Sequence, residues 1–453
     1  MPRPKESCRE GRRMNEEEEK NLRREPIRTE DDILSFLERH SRPRKEWLVG
    51  MEYERLGVFC KSGKAISYYT GVEPLLEELA RRDGWKCHRE DGHVISLSKD
   101  GDAITLEPGG QIEHSTKPMR SIRELRGLVG SLGELLDEIA AERGIVLLGI
   151  GYQPFSKLEE VEWIPKKRYQ FMAPYLGRRG DLSHRMMKMT AGCQVALDYS
   201  DLTDAMRKMC AAARLVPLAQ ALFASSGIAE GRVLDDLCYR GRVWTRTDPQ
   251  RTGIPPFLLR SHCDPGEYAR YIMTRPLMFV ERGGVYRDPE GKTFGDLMDS
   301  GAADEYDLEV ALTQVFPEVR IKTFVEVRAL DAPQPELITT AACFWADLLY
   351  GDLDAILDLT EELVASGEQE FAALRERVFR EGLGAEFRGR PIAKFLEEIL
   401  EMGTGETTCR KSFDLLRERL ASGRTAAEGA RELLSGVDSP SDFVVRWNHY
   451  RWW

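Results

Sequence analysis

Acidic side chains in three short runs of strand-forming residues share parity with one another or with a basic partner, and this spacing constrains the chain more than any other feature. In MEYERLG, residues 51–57, Glu52 and Glu54 share one face of a strand, because side chains alternate with period two. Glu107 and Glu113 share parity in LEPGGQIE, and Glu326 shares parity with Arg328 in FVEVRAL. The intervening positions are apolar: Met51 and Tyr53, Leu106 and Ile112, Val325 and Val327. Taken singly, each run describes a half-buried strand that turns its acids to solvent. Taken together, five carboxylates converging inside a curved sheet would repel one another and require cations. Magnesium takes hard oxygen ligands and bridges to substrate phosphates, so such a cluster points toward ATP chemistry. FPEVRIKTFVEVR, read as one alternating strand, adds Arg320 and Lys322 to the face of Glu326 and Arg328, and this charge pattern suits a polyphosphate. A salt-bridged, exposed strand is the alternative reading of the same pattern.

The chain has 453 residues, 42% of them hydrophobic, which is enough for a substantial core. A net charge of −11 argues against a general nucleic-acid binder, which needs a positive field. No run approaches the roughly 20 apolar residues of a membrane span, and the first residues lack the apolar core of a signal peptide, so a cytoplasmic protein with no membrane partner is expected. The nine cysteines never approach CxxC spacing, and most of them are read as small buried thiols. Residues 1–28 are almost all charged or polar and are expected to form a disordered tail, with Met14 as an alternative start. Residues 29–352 mix strand and helix patterns, and 353–453 read as a helical C-terminal region packed on them, ending in the aromatic WNHYRWW. Helices are expected over 29–40, 71–83, 121–143 and 201–226, a hairpin about KDGD at 99–102, and strands at GIVLLGIGYQPF and QVALDYS. The glycines of EPGGQ permit a bulge or a close backbone approach.

Familiar nucleotide and hydrolase motifs are missing. GKT at 291–293 lacks the first glycine of a phosphate loop, whose place is taken by Tyr286, and there is no GxGxxG unit, GxSxG elbow or HExxH helix. His88 and His93 flank a turn and are read as surface residues.

MEYERLG, ITLEPGGQIEHS, LGIGYQPF, PKKRYQFM, QVALDYS, ALFASSG, WTRTDPQRTG, FPEVRIKTFVEVR and FWADLLYGD, in that order, resemble segments of glutamate–cysteine ligases of the plant and proteobacterial type, with features of related actinobacterial enzymes. The resemblance implies an α+β, glutamine-synthetase-like catalytic domain, a curved antiparallel sheet forming a funnel flanked by helices. It further implies that Glu52, Glu54, Glu107, Glu113 and Glu326 hold two or three Mg2+ ions, or Mn2+ in their place, with Gln194 completing one site. Arg320, Lys322 and Arg328 would bind ATP, the co-substrate, with Arg328 steadying the transferring phosphoryl group and Glu326 also counted as catalytic. Arg168, Tyr169, Arg240 and Trp244 would recognise substrate.

The implied reaction joins the γ-carboxyl of glutamate to the amine of cysteine through γ-glutamyl phosphate, at the head of glutathione or related thiol synthesis, in a monomer or homodimer. Ala196 stands where relatives carry Asn, and VRALDAPQP replaces the plant MRGADGGPW. The latter change keeps a glutamate ligase with another amine acceptor as an alternative; a guanidino-type phosphotransferase and a non-catalytic binding protein are the more distant ones. Cysteines do not fall at the positions of the plant regulatory disulfides, so no switch of that kind is expected.

Overall fold

The computed structural model describes residues 24–260, 263–403 and 409–447. Its centre is a nine-stranded sheet. In chain order the strands are β1 (Val49–Phe59), β2 (Lys86–Glu90), β3 (His93–Lys99), β4 (Asp102–Leu106), β5 (Ile112–Ser115), β6 (Ile145–Leu148), β7 (Gly192–Leu197), β8 (Val319–Ile321) and β9 (Val325–Asp331). Across the sheet the order is β8-β9-β7-β1-β5-β4-β3-β2, and β6 pairs with the far end of β1. Every pairing is antiparallel. β1 is the hub: Val49–Tyr53 pair with β7, Glu52–Arg55 with β5 and Leu56–Phe59 with β6.

Both faces of β1 are covered, so the strand does not turn one face to water as a half-exposed strand would. Met51, Tyr53, Glu54, Arg55, Leu56 and Val58 are all buried. The helices Ile122–Ala141 and Ile338–Leu349 pack behind the sheet, and their buried residues include Leu125, Leu132, Leu136, Ala341 and Phe344. The KDGD turn forms as expected, with Asp100 and Gly101 at φ values of 50° and 90° closing β3 onto β4. Thr29 caps the helix Glu30–Glu38 in a capping box with Asp32.

Three expectations from the sequence are corrected. FPEVRIKTFVEVRAL is a hairpin of β8 and β9, in which Arg320 lies directly opposite Glu326; along one straight strand those residues would be about 20 Å apart. LGIGYQPF is strand only as far as Leu148. Beyond it the chain passes so close to its neighbours that a Cβ at Gly149 or Gly151 would meet Pro333 O at 2.3 Å or Asp331 Cγ at 2.5 Å. The charged N-terminal stretch stops short of residue 28: Ile27 is buried, its N–H donates to Ala303 O, and Pro26 bridges to Asp304. Its first 23 residues, including Met14, lie outside the described residues.

The C-terminal helices Leu353–Ala365, Glu368–Glu381, Ile392–Met402, Arg410–Ser422, Ala426–Ser435 and Pro440–Trp447 share one apolar core with the sheet and with the buried helix Leu202–Leu222. Arg375 from this region donates to Glu318 beside β8 at 2.5 Å, both side chains being buried. Trp447 is buried and donates to Gly149 O, while the rest of WNHYRWW lies outside the described residues. One further correction concerns the thiols: Cys210 and Cys263 form a disulfide, bringing together positions 53 residues apart that no local spacing connects. Among the described residues no helix is long and apolar enough to cross a membrane.

Candidate active site

Strand register gathers the acids on one face. Glu54 is directly opposite Glu113, Glu52 opposite Gln194, and Glu326 opposite both Ala196 and Arg320. Glu107 joins them from the turn after β4, where Gly110 at φ 83° reverses the chain and Gly109 lies against Lys188, its missing Cβ falling 2.4 Å from Lys188 O. Thus the glycines of EPGGQ serve a close approach. Glu52, Glu54, Glu107, Glu113, Gln194, Arg320, Lys322 and Arg328 line one cavity of about 200 Å3 with Arg168, Tyr169 and Trp244.

The carboxylates fall into two electrostatic groups. Glu326 is the hub of a cationic cluster: Arg320 Nε lies 2.5 Å and Arg328 2.8 Å from Oε2, and Lys322 Nζ 2.8 Å from Oε1. Burial alone would raise its pKa, but these three cations hold it well below the usual carboxylate range. The other group has no such balance. Burial, followed by repulsion from Glu113 and Glu326, pushes Glu52 up to about 7. Burial, then Glu107 and Glu113, pushes Glu54 up to about 8, and burial with Glu107 raises Glu113 as well. Glu54 accepts from Gly192 N at 2.6 Å and Gln194 Nε2 at 3.1 Å, whereas the Glu52 and Glu107 carboxylates take no hydrogen bond or ion pair among the described residues.

Among the described residues no group of three or more His, Cys, Asp or Glu side chains is arranged to hold a metal ion. The expected ligand set is therefore gathered without being closed into a coordination shell. Its oxygen donors suit a hard cation, and two of its carboxylates have nothing else to bind. Gln194 is occupied from both ends, its Oε1 accepting from Arg328 and its Nε2 donating to Glu54.

Other side chains of the cavity have the opposite deficiency. Arg168 Nε and Trp244 Nε1 are buried donors without acceptors among the described residues, and both residues border the cavity. Arg168 Nη2 reaches Tyr169 Oη at 3.1 Å, and Tyr169 in turn donates to Leu106 O, which fixes the guanidinium at the rim. Arg240 lies one layer behind: it is 2% exposed, does not border the cavity, and donates to Arg328 O at 3.3 Å. Direct substrate contact, expected of all four residues, is thus open to Arg168, Tyr169 and Trp244 in this structure.

A profile of glutamate-cysteine ligase family 2 (GCS2) matches residues 48–444. The chain belongs to this family. The chain is similar to the chloroplastic glutamate–cysteine ligase of Brassica juncea, 33% identical over 433 residues, covering 92% of this chain and 83% of that one. Glutamate–cysteine ligase B of Oryza sativa subsp. japonica is 34% identical over 418 residues, covering 89% and 83%. The crystal structure of a glutamate–cysteine ligase from Francisella tularensis in complex with AMP superposes with a TM-score of 0.50 at 12% identity, covering 90% of both chains. The shared architecture is the glutamine-synthetase-like α+β fold that the resemblance implied.

Within this ligase-family frame, sequence reading missed two parts of the site. Met172, Met186, Met278, Phe279 and Phe316 form an apolar side of the cavity, and they come from helices, a loop and the short strand Phe316–Pro317, with no pattern linking them. A second cavity of about 400 Å3 lies on the other side of Glu52, bordered by Arg39, Arg42, Ala196, Asp198 and Phe324. Glu52 borders both spaces, and the β8–β9 turn contributes Lys322 to the first and Phe324 to the second, so Glu52 stands between two chambers. Conversely, His88 and His93 serve structure, meeting Ser98 and Glu73.

Proposed function

We propose that this chain is an ATP-dependent glutamate–cysteine ligase forming γ-glutamylcysteine, with γ-glutamyl phosphate as intermediate. The observation that carries the reading is the complementary imbalance of the cavity: among the described residues, its carboxylates Glu52, Glu54, Glu107 and Glu113 have no ion pair, while Arg168 Nε and Trp244 Nε1 in the same lining are buried donors without acceptors. A set of hard cations would satisfy the first and an anionic amino acid the second. In this reading Glu52, Glu54, Glu107 and Glu113 hold Mg2+ ions, and Glu326 joins them as its three cations turn to phosphate oxygens. Bound magnesium supplies charge neutralisation at the phosphates.

Arg168 takes the α-carboxylate of glutamate by two charge-assisted hydrogen bonds, with Trp244 Nε1 as a further donor. The nucleotide base lies in the second chamber beside Phe324. The γ-carboxylate oxygen attacks the γ-phosphorus of ATP in line, ADP leaves, and Arg320, Lys322 and Arg328 offset the charge spread over the transferring group. The amine nitrogen, having lost a proton, then attacks the acyl carbon and inorganic phosphate departs. The full reading is a cytoplasmic enzyme, monomeric or homodimeric.

The test is product mass and ADP release with ATP, magnesium and glutamate, with cysteine and other amines supplied in turn. Cysteine-dependent γ-glutamylcysteine is expected, and ADP release indifferent to cysteine would transfer the assignment to another acceptor, the alternative motivated by VRALDAPQP, which runs from within β9 to Pro335. Glu326→Gln should abolish product while leaving a cooperative melt, because it releases three cations from their common partner.

A further inference from the structure

β9 does not pair evenly with β7. Val327 faces Val195 and Leu330 faces Cys193, so Arg328 and Ala329 together oppose Gln194: the arginine sits in a β-bulge. Such a bulge re-aims a side chain, and here Arg328 turns toward Gln194 and Glu326. Two buried anchors hold it. At the bulge itself Arg240 Nη2 donates to Arg328 O at 3.3 Å. Three residues further on, Asp331 Oδ2 accepts from Ser225 N at 2.8 Å and from Ser226 Oγ at 2.7 Å.

Ser226 joins the two anchors, because the same Oγ accepts from Arg240 N at 3.0 Å. Ser225 ties in the neighbouring loop: its Oγ accepts from Gly151 N at 3.0 Å and donates to Ala332 O at 3.0 Å. Asp331, Ser225, Ser226 and Arg240 are each no more than 5% exposed. Space for them is made by absent side chains, since a Cβ on Gly151 would fall 2.5 Å from Asp331 Cγ and one on Gly192 would fall 2.3 Å from Arg240 Nη2. The segments LGIGYQPF and ALFASSG, which contribute nothing to the cavity wall, therefore converge on the end of the strand that carries Arg328.

We propose that Asp331 is a positioning residue: through Ser226 and Arg240 it sets the β9 bulge and so aims the Arg328 guanidinium at the transferring phosphoryl group. This inference rests on the ligase reading of Arg328. Asp331 touches no substrate, and its loss changes where a charge points without removing one from the cavity.

The test is a double-mutant cycle on kcat for ADP release with ATP, glutamate and cysteine. Asp331→Asn should lower kcat by about 10- to 100-fold, the scale of a misplacement near 1 Å, with KM for each substrate within about twofold. In an Arg328→Lys background, where the planar fork is already gone, Asp331→Asn should cost less than about twofold more. A merely structural role would lower kcat by the same factor in both backgrounds, and that result overturns the proposal, as would wild-type kcat in a folded Asp331→Asn enzyme. If Asp331→Asn loses its cooperative melt, Ser226→Ala and Gly151→Ala give the same comparison. Arg328→Lys with wild-type kcat would overturn the underlying site reading and this inference with it, whereas an inactive wild type would overturn the ligase assignment itself.

Discussion

The two faces of β1 and β5 carry charge in opposite ways. On the rear face Arg55 meets Asp137 at 2.7 Å, His114 Nε2 lies 3.6 Å from Asp102 Oδ1, and Tyr53 donates to Pro333 O at 2.9 Å. Arg55 and Tyr53 thus have an opposite charge and an acceptor, as expected of an interior selected for stability, while His114 Nε2 stays beyond hydrogen-bond distance of Asp102. On the front face Glu52, Glu54 and Glu113 belong to the same strands, one residue out of phase, and repel one another. Proximity of like buried charges is costly to a fold, so its confinement to one face marks where stability was given up for binding.

The sharpest way to break this comparison is Glu52→Gln. Activity should fall by at least about 100- to 1,000-fold, the scale of losing one preorganised electrostatic group. Yet the thermal midpoint in chelator should not fall, because the change removes a carboxylate that has no hydrogen-bond or ion-pair partner among the described residues. A lower midpoint would show that Glu52 stabilises the metal-free fold and would erase the contrast between the faces.

Titration sharpens it next. Glu52 at about 7 and Glu54 at about 8 lie above their ordinary value of 4.5, so the folded protein keeps protons that the unfolded chain has already released. Their contribution to stability is fully present below about pH 4.5 and is lost as pH rises through 7 to 8. In chelator the thermal midpoint should therefore drop between pH 6 and pH 8.5, and less so in Glu52→Gln. Magnesium with ATP should raise the midpoint most at the alkaline end; equal shifts at both pH values would contradict the front-face assignment.

The rear face should give the smallest effect on chemistry. Arg55→Met exchanges a buried ion pair, whose acidic partner is half exposed, for apolar packing. Denaturant unfolding should register a loss of about 1–2 kcal/mol, with kcat within about twofold of wild type. A large loss of activity would mean that the faces are coupled through the strand.

Much of this was legible locally. Period-two alternation put Glu52 and Glu54, and Glu326 and Arg328, on common faces, and the KDGD and EPGGQ turns announced their geometry through glycine. What misled was also local. FPEVRIKTFVEVR alternates so regularly that it reads as one strand, and only pairing reveals the turn that sets Arg320 against Glu326. Arg240, read as a substrate contact, is buried behind the wall because Gly192 leaves room for its guanidinium there.

By itself the sequence determined which side chains share a face, where chains turn and which family the segments resemble, since each depends on neighbours a few residues apart. Tertiary structure alone decided that both faces are buried, that Glu326 is balanced by three cations while Glu52 and Glu107 are not, and that Cys210 meets Cys263. Burial of both faces and the Cys210–Cys263 bridge depend on packing and pairing across tens to hundreds of residues, and the contact of Arg320 with Glu326 on a hairpin turn; no local period encodes any of these.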